Sequence, residues 1–246
     1  MTGLVVLFLV AVWAGVQNAL AGGGTFLTLP ALMLTGMSAL AANITSTVAL
    51  FPGQVTSSWG GRHHVAGAGG LPFSALVIIS LLGGVIGAVL LLVTPSSIFA
   101  RMVPWLVLFA TGVFAWGSFG PKRDNSARLN RAGAGLAQFL IAIYGGYFGG
   151  GIGFLMLAAL TAAGLAIRNA GATKNLLAAV MNFSAMLIFV FSPEVHWLQM
   201  GIACVGALIG GLAGAHMLSK VNEKMLRLLV VGIGLALTVG LFLRAP

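Results

Sequence analysis

The chain has 246 residues, 59% of them hydrophobic and only 6% charged, with a mean hydropathy of +1.09. A soluble domain carries roughly 25% charged residues, so a water-coated globule is excluded and a surface that is mostly lipid-facing is expected. The net charge of +9 does not argue for a nucleic-acid partner in so apolar a chain; its basic residues are expected as cytoplasmic loop anchors.

Crossing a hydrocarbon core about 30 Å thick takes roughly 20 apolar residues in a helix. In chain order, such runs lie at 4–20, 39–59 (interrupted by polar residues), 71–93, 102–119, 176–191, 197–218 and 228–243. These are continuous runs, not the short alternating segments of a β-barrel. No Lys or Arg precedes the first run, which therefore lacks the basic n-region of a signal peptide and is read as a retained first helix. Cys204 is the single cysteine, so an internal disulfide is impossible, and it reads as a small core residue.

The chain repeats itself. Shifting by 128 lays residues 22–47 on 150–175 with ten of 26 pairs identical, among them Gly22/Gly150, Phe26/Phe154, Leu32/Leu160, Gly36/Gly164 and Thr45/Thr173. About one pair in ten would match by chance at this residue usage. A second echo, at a shift of 127, sets Gly83, Gly84, Gly87 and Ala88 on Gly210, Gly211, Gly214 and Ala215. Each repeat begins with a full-length helix, followed by a glycine cluster and a short apolar piece ending near Gly36 or Gly164. About a dozen residues span only some 18 Å. Three more long helices follow in each half.

The fold class expected is therefore an all-α polytopic membrane protein of two inverted repeats, with eight long transmembrane helices and two short half-helical segments. Its parts are an N-terminal repeat at 1–119, a cytoplasmic linker at 120–131 and a C-terminal repeat at 132–246. Inversion follows from charge placement. If the short pieces fold back, the twelve Lys and Arg residues divide six and six. If they cross, Arg62, Lys122, Arg123, Arg128, Arg131, Arg168, Lys174, Lys220, Lys224 and Arg227 share one side, and only Arg101 and Arg244 lie on the other. Ten against two is a strong positive-inside pattern. It sets both termini outside; the expected location is a bacterial inner (plasma) membrane, as a multi-pass protein.

Paired short, glycine-interrupted segments point to a transporter's binding site. Gly22, Gly23, Gly24, Gly149, Gly150 and Gly151 leave backbone N–H groups approachable, and the N-terminus of a half-helix is partially positive. The Gly83 and Gly210 motifs read instead as helix-packing surfaces. The next long helix of each half is polar along one face: Thr47, Gln54 and Ser58 in the first, Asn175 and Asn182 at the positions matching Thr47 and Gln54 in the second. Thr45 and Thr173 lie beside these stripes. Pro52-Gly53 is expected to loosen its helix. Lys174 adjoins an apolar run, where a cation is costly and often functional, although a lysine snorkelling to the surface is an equal reading.

No carboxylate falls within a span, since Asp124, Glu194 and Glu223 sit at loops or helix ends. That disfavours a cation carrier and fits an anion held by amides, hydroxyls and helix ends. His63 and His64 beside Arg62 look like a loop anchor, and His196 and His216 lack metal-site neighbours. No His-Glu-x-x-His, paired carboxylate or nucleotide-binding loop occurs. No catalytic residue, metal or cofactor is expected.

At Gly22 through Leu32, Ala42 through Gly53 and Trp59-Gly-Gly-Arg62, with Gly149 through Gly153, Ala172 through Asn175 and Asn182 in the second half, the chain resembles the sulfite exporter TauE/SafE family over essentially its whole length. The resemblance implies transport of sulfite or another small organosulfur or sulfonate anion, often by export. The expected solute-binding residues are Gly22, Gly23, Gly24, Thr45, Thr47, Gln54, Gly149, Gly150, Gly151, Thr173, Lys174, Asn175 and Asn182, and the partners a small anion and the lipid bilayer. A homodimer is compatible with this reading. The rival readings are an anion-selective channel, a non-transporting scaffold and an intramembrane enzyme.

Overall fold

The computed structural model describes residues 2–20, 22–59, 62–119, 129–217 and 223–244. These form ten α-helices: α1 (Thr2–Leu20), α2 (Thr25–Met33), α3 (Ala39–Trp59), α4 (Phe73–Val93), α5 (Ser96–Phe119), α6 (Arg131–Tyr147), α7 (Ile152–Ala162), α8 (Ile167–Phe189), α9 (Trp197–Met217) and α10 (Glu223–Arg244). A 3-10 turn, Arg62–His64, follows α3. Most of the 120–131 linker, with Lys122, Arg123, Asp124 and Arg128, lies outside the described residues, as does Lys220.

Long, short, long, long, long is the order in both halves, as the repeat predicts. The short helices have 9 and 11 residues. Each is ended by a glycine held at φ +96°, Gly36 after α2 and Gly164 after α7, a left-handed conformation that a Cβ would strain. Two helices begin earlier than hydropathy predicts. The expected run at 102–119 is part of a helix from Ser96, and the run at 176–191 starts at Ile167. Run-length counting stops at polar residues, but Thr173, Lys174 and Asn182 of α8 turn inward, where polarity is tolerated.

Five described helices are both long and apolar enough to cross a membrane: α1, α4, α5, α8 and α9. The other long helices miss by different routes. α6 has 17 residues, the qualifying apolar stretch of α10 is short, and α3 is polar but interior. Every residue from 39 to 50 is buried, so the polar face of α3 meets protein.

The packing inverts that of a water-soluble bundle. On α4 the inner face carries Ser80, Gly83, Gly84, Gly87 and Ala88, while Ile78, Leu82, Val89 and Val93 stand outward. Small residues inside let backbones approach, and large apolar residues outside suit lipid.

The halves interleave. α1 packs on α9 and α6 on α4; α3 packs on α9 and α8 on α4; α2 touches α10 and α7 touches α5; α5 and α10 pack on each other. Exchanging each helix for the one five places along maps this set of contacts onto itself. The glycine motifs occupy equivalent crossings. A Cβ on Gly84 would meet the Met181 carbonyl oxygen at 2.6 Å and Ser184 Oγ, and one on Gly211 would meet the Gly53 carbonyl oxygen at 3.0 Å and Thr56 Oγ1 at 3.2 Å. Met181 and Ser184 are Gly53 and Thr56 shifted by 128. The packing role read for these motifs is therefore what the helices display.

Candidate functional site

Where the two halves meet, a small cleft, partly open to solvent, is lined by Asn18, Gly22, Gly23, Thr25, Gln54, Ser57, Gly149, Ile152, Gly153, Lys174, Asn175 and Ala178. Both glycine breaks reach it. They precede the N-termini of α2 and α7, so two short helices bring the partial positive charge of their first turns to one space. The two ends lie close together: a Cβ on Gly22 would stand 3.3 Å from Gly153 Cα. Gly22, Gly23 and Gly149 have φ of +84°, +85° and +76°, which reserves these positions for glycine.

The walls carry complementary side chains. Lys174, on α8, is 7% exposed, and its ammonium finds no ion-pair or hydrogen-bond partner among the described residues. Asn175 follows it. From α3 come Gln54 and Ser57, the latter donating to the Gly53 carbonyl at 2.7 Å. Gln54 Oε1 accepts from Asn182 Nδ2 at 2.7 Å, so the two residues that the repeat makes equivalent touch each other. Such a contact is expected only near a pseudo-twofold axis. Pro52 lies inside α3 without ending it, and the hydroxyls of Thr56 and Ser57 return to the Gly53 carbonyl just beyond it.

Of the sequence-predicted residues, the cleft gathers Gly22, Gly23, Gln54, Gly149, Lys174 and Asn175. Asn182 stands one hydrogen bond behind Gln54 and is 3% exposed. The remainder lie elsewhere. Thr47 donates to the Asn43 carbonyl of its own helix at 3.0 Å. Gly24, Gly150 and Gly151 pack against neighbours: a Cβ there would meet the Ala14 carbonyl oxygen at 2.7 Å, Phe148 Cε1 at 2.6 Å and Ala110 Cβ at 2.8 Å. Thr45 and Thr173 are matched loop anchors. Thr45 Oγ1 accepts from His196 N at 3.2 Å and donates to the Glu194 carbonyl at 3.4 Å. Thr173 Oγ1 accepts from Ala66 N at 3.0 Å and donates to the Ala66 carbonyl at 3.3 Å. Each threonine ties down a loop of the other half.

Asn18, Thr25, Ser57, Ile152, Gly153 and Ala178 also line the cleft, and sequence reasoning misses all six. Asn18 does carry a signal, being an amide in an apolar span just before a glycine cluster. Its Oδ1 accepts from Gly24 N at 2.8 Å, and the neighbouring Gln17 Nε2 donates to the Gly23 carbonyl at 3.2 Å. Together the two amides hold the first glycine turn in shape.

The cleft thus offers one cation, several side-chain amides, the Thr25 hydroxyl and two helix N-termini. The nearest described acid by sequence, Glu194, belongs to the loop anchored by Thr45. Among the described residues no group of His, Cys, Asp or Glu is placed to hold a metal. Outside the cleft, Arg62 lies 4.4 Å from the ring centre of Trp59, which anchors the turn holding His63 and His64.

Relatives of this chain are transport proteins by name. It is 28% identical over 241 residues to a "Probable membrane transporter protein" of Haemophilus influenzae, covering 96% of this chain and 92% of the relative. It is 30% identical over 233 residues to "Probable membrane transporter protein YfcA" of Escherichia coli K12, covering 92% and 84%. With "Probable membrane transporter protein ORF9" of a Sinorhizobium species it shares 29% over 242 residues, covering 97% and 92%. No match to a solved structure was found. The family model described as "Sulfite exporter TauE/SafE" matches residues 7–241, nearly the whole sequence, and the chain belongs to that family.

Proposed function

We propose that this chain is a secondary carrier of a small anion, sulfite or another small organosulfur or sulfonate anion, working by alternating access at the cleft between two inverted repeats. The observation that carries this reading is Lys174: a buried cation with no partner among the described residues, opening on a cleft where two short helices begin. An unpaired buried charge is expensive, and a bound anion supplies the missing partner. The amides and hydroxyls around it suit the oxygen atoms of an oxyanion.

In this reading residues 1–119 and 132–246 are the two repeats and 120–131 the cytoplasmic linker. The protein sits in a bacterial inner membrane with both termini outside, which accounts for the ten-to-two division of its basic residues. The cleft then opens on the side of Arg62 and Arg168, towards the cytoplasm. Rocking of one repeat against the other exchanges access.

The test is reconstitution in liposomes with labelled sulfite, a labelled sulfonate and a labelled cation as control. Saturable movement of one anion is expected. Cation movement without anion movement overturns the reading, and unsaturable conductance replaces the carrier with a channel.

A further inference from the structure

The duplication implies two vestibules, and among the described residues the counterpart of the cleft is closed. A shift of 128 converts the cleft residues Lys174, Asn175, Gln54, Ser57 and Ala178 into Ser46, Thr47, Asn182, Ala185 and Leu50. The second set is buried throughout: Ser46 and Ala185 are 0% exposed, Leu50 1%, Asn182 3% and Thr47 9%. Ser46 is closed off by a hydroxyl–hydroxyl bond to Thr28. The sealed region is nevertheless polar, which helix packing alone does not require.

Gln54 and Asn182 stand at the boundary between the two regions. Asn182 Nδ2 donates to Gln54 Oε1, leaving the Gln54 NH2 group for the cleft. Asn182 Oδ1 is buried with no partner, a costly condition for an acceptor. An amide carries both donors and an acceptor, so the same pair has a mirror arrangement. With Gln54 Nε2 donating to Asn182 Oδ1, the orphaned oxygen is satisfied and the Asn182 NH2 group is released.

We infer that Gln54 and Asn182 form a reciprocal donor pair, and that Asn182, Ser46 and Thr47 are a second, latent binding face for the same small oxyanion. Gln54 serves the anion while the described cleft is open; Asn182 serves it when that cleft closes and the sealed vestibule opens. Ser46 occupies the position of Lys174 without its charge, so the second face holds an anion less tightly, as a release face requires. This inference rests on the alternating-access reading above.

The test uses the full chain carrying Cys204→Ser, reconstituted in vesicles with sulfite as the probe. Ser57→Cys marks the open side, and Ala185→Cys and Ser46→Cys mark the sealed one; two positions keep one poorly folded variant from deciding the result. A membrane-impermeant maleimide should reach the thiol introduced at position 57 from one face. The thiols introduced at positions 185 and 46 should react only from the opposite face, and faster during sulfite counterflow. Labelling of positions 185 and 46 from the same face as position 57, or from neither face while counterflow proceeds, overturns the latent face but leaves the carrier intact. Failure of both the unaltered and the Cys204→Ser chain to move any probe anion overturns the carrier and the latent face together.

Discussion

At the scale of single residues, polarity inside an apolar span has two uses, and the structure separates them. Lys174 faces a cleft, whereas Thr45 and Thr173 face loop backbone. Lys174→Met should therefore act oppositely on stability and function. Removing an unpaired buried charge for an apolar side chain of similar volume should raise Tm, the gain being on the order of a few kcal/mol, while saturable anion transport falls by about tenfold or more. Thermal unfolding in detergent beside a flux assay checks both; a lower Tm with unchanged flux would show that the ammonium has a structural partner. Thr45→Val and Thr173→Val should each cost about 1 kcal/mol of stability by releasing a loop of the opposite half, with half-saturation for the anion unchanged. A raised half-saturation in either variant returns that threonine to the binding site. Sequence alone could not separate these roles, because a hydroxyl in a span looks the same whether it meets solute or a carbonyl. Lys174 and Gln54 are legible because charge and amide at repeat-related helices are too costly for plain packing; Asn18 is hidden by its place in an ordinary first span.

Among elements, the glycines of α4 and α9 set how closely helices approach. A Cβ on Gly210 would meet the Val12 carbonyl and crowd Val16 N at 3.0 Å, whereas one on Gly201, on the same helix, meets nothing within 4 Å. Gly210→Val should force α1 and α9 apart and cost about 3 kcal/mol or more. Gly201→Ala should be neutral or stabilise by up to about 1 kcal/mol through helix propensity. Monodispersity and thermal stability of the purified variants distinguish the two, and equal behaviour would mean that the α1–α9 contact is not the tight one described. Element type and order are readable from run length, glycine and the repeat, so long and short helices fall where expected. The starts of α5 and α8 are not, since hydropathy sees average apolarity and is blind to which face is interior. For the same reason α3 counts as too polar on its own, although residues 39–50 are buried without a break.

For the whole molecule, interleaving means that neither half is a closed unit. The largest core cluster joins Leu7, Ile44 and Val107 of the first half to Phe148, Phe189 and Ala203 of the second. Expressed separately, 1–119 and 132–246 should each fail to accumulate as a monodisperse species, and co-expressed tagged halves should purify together. A well-behaved isolated half would contradict the cross-packing of α1 with α9 and of α4 with α6. The repeat is visible in sequence, but the exchange of partners between its copies is not, because residue identity reveals equivalence and leaves open which equivalent surfaces touch.

That exchange also orders the protein's birth. α1 leaves the ribosome long before its main partner, α9, which begins at Trp197. At roughly 5–20 residues per second, the first helix waits on the order of ten to thirty-five seconds before its counterpart is synthesised. During that interval the side of α1 built to receive glycine backbone, with Gln17 and Asn18 near its end, has only lipid, its immediate neighbours or the insertion machinery for company. Such a chain matures late, and damage to its last helices is felt by its first.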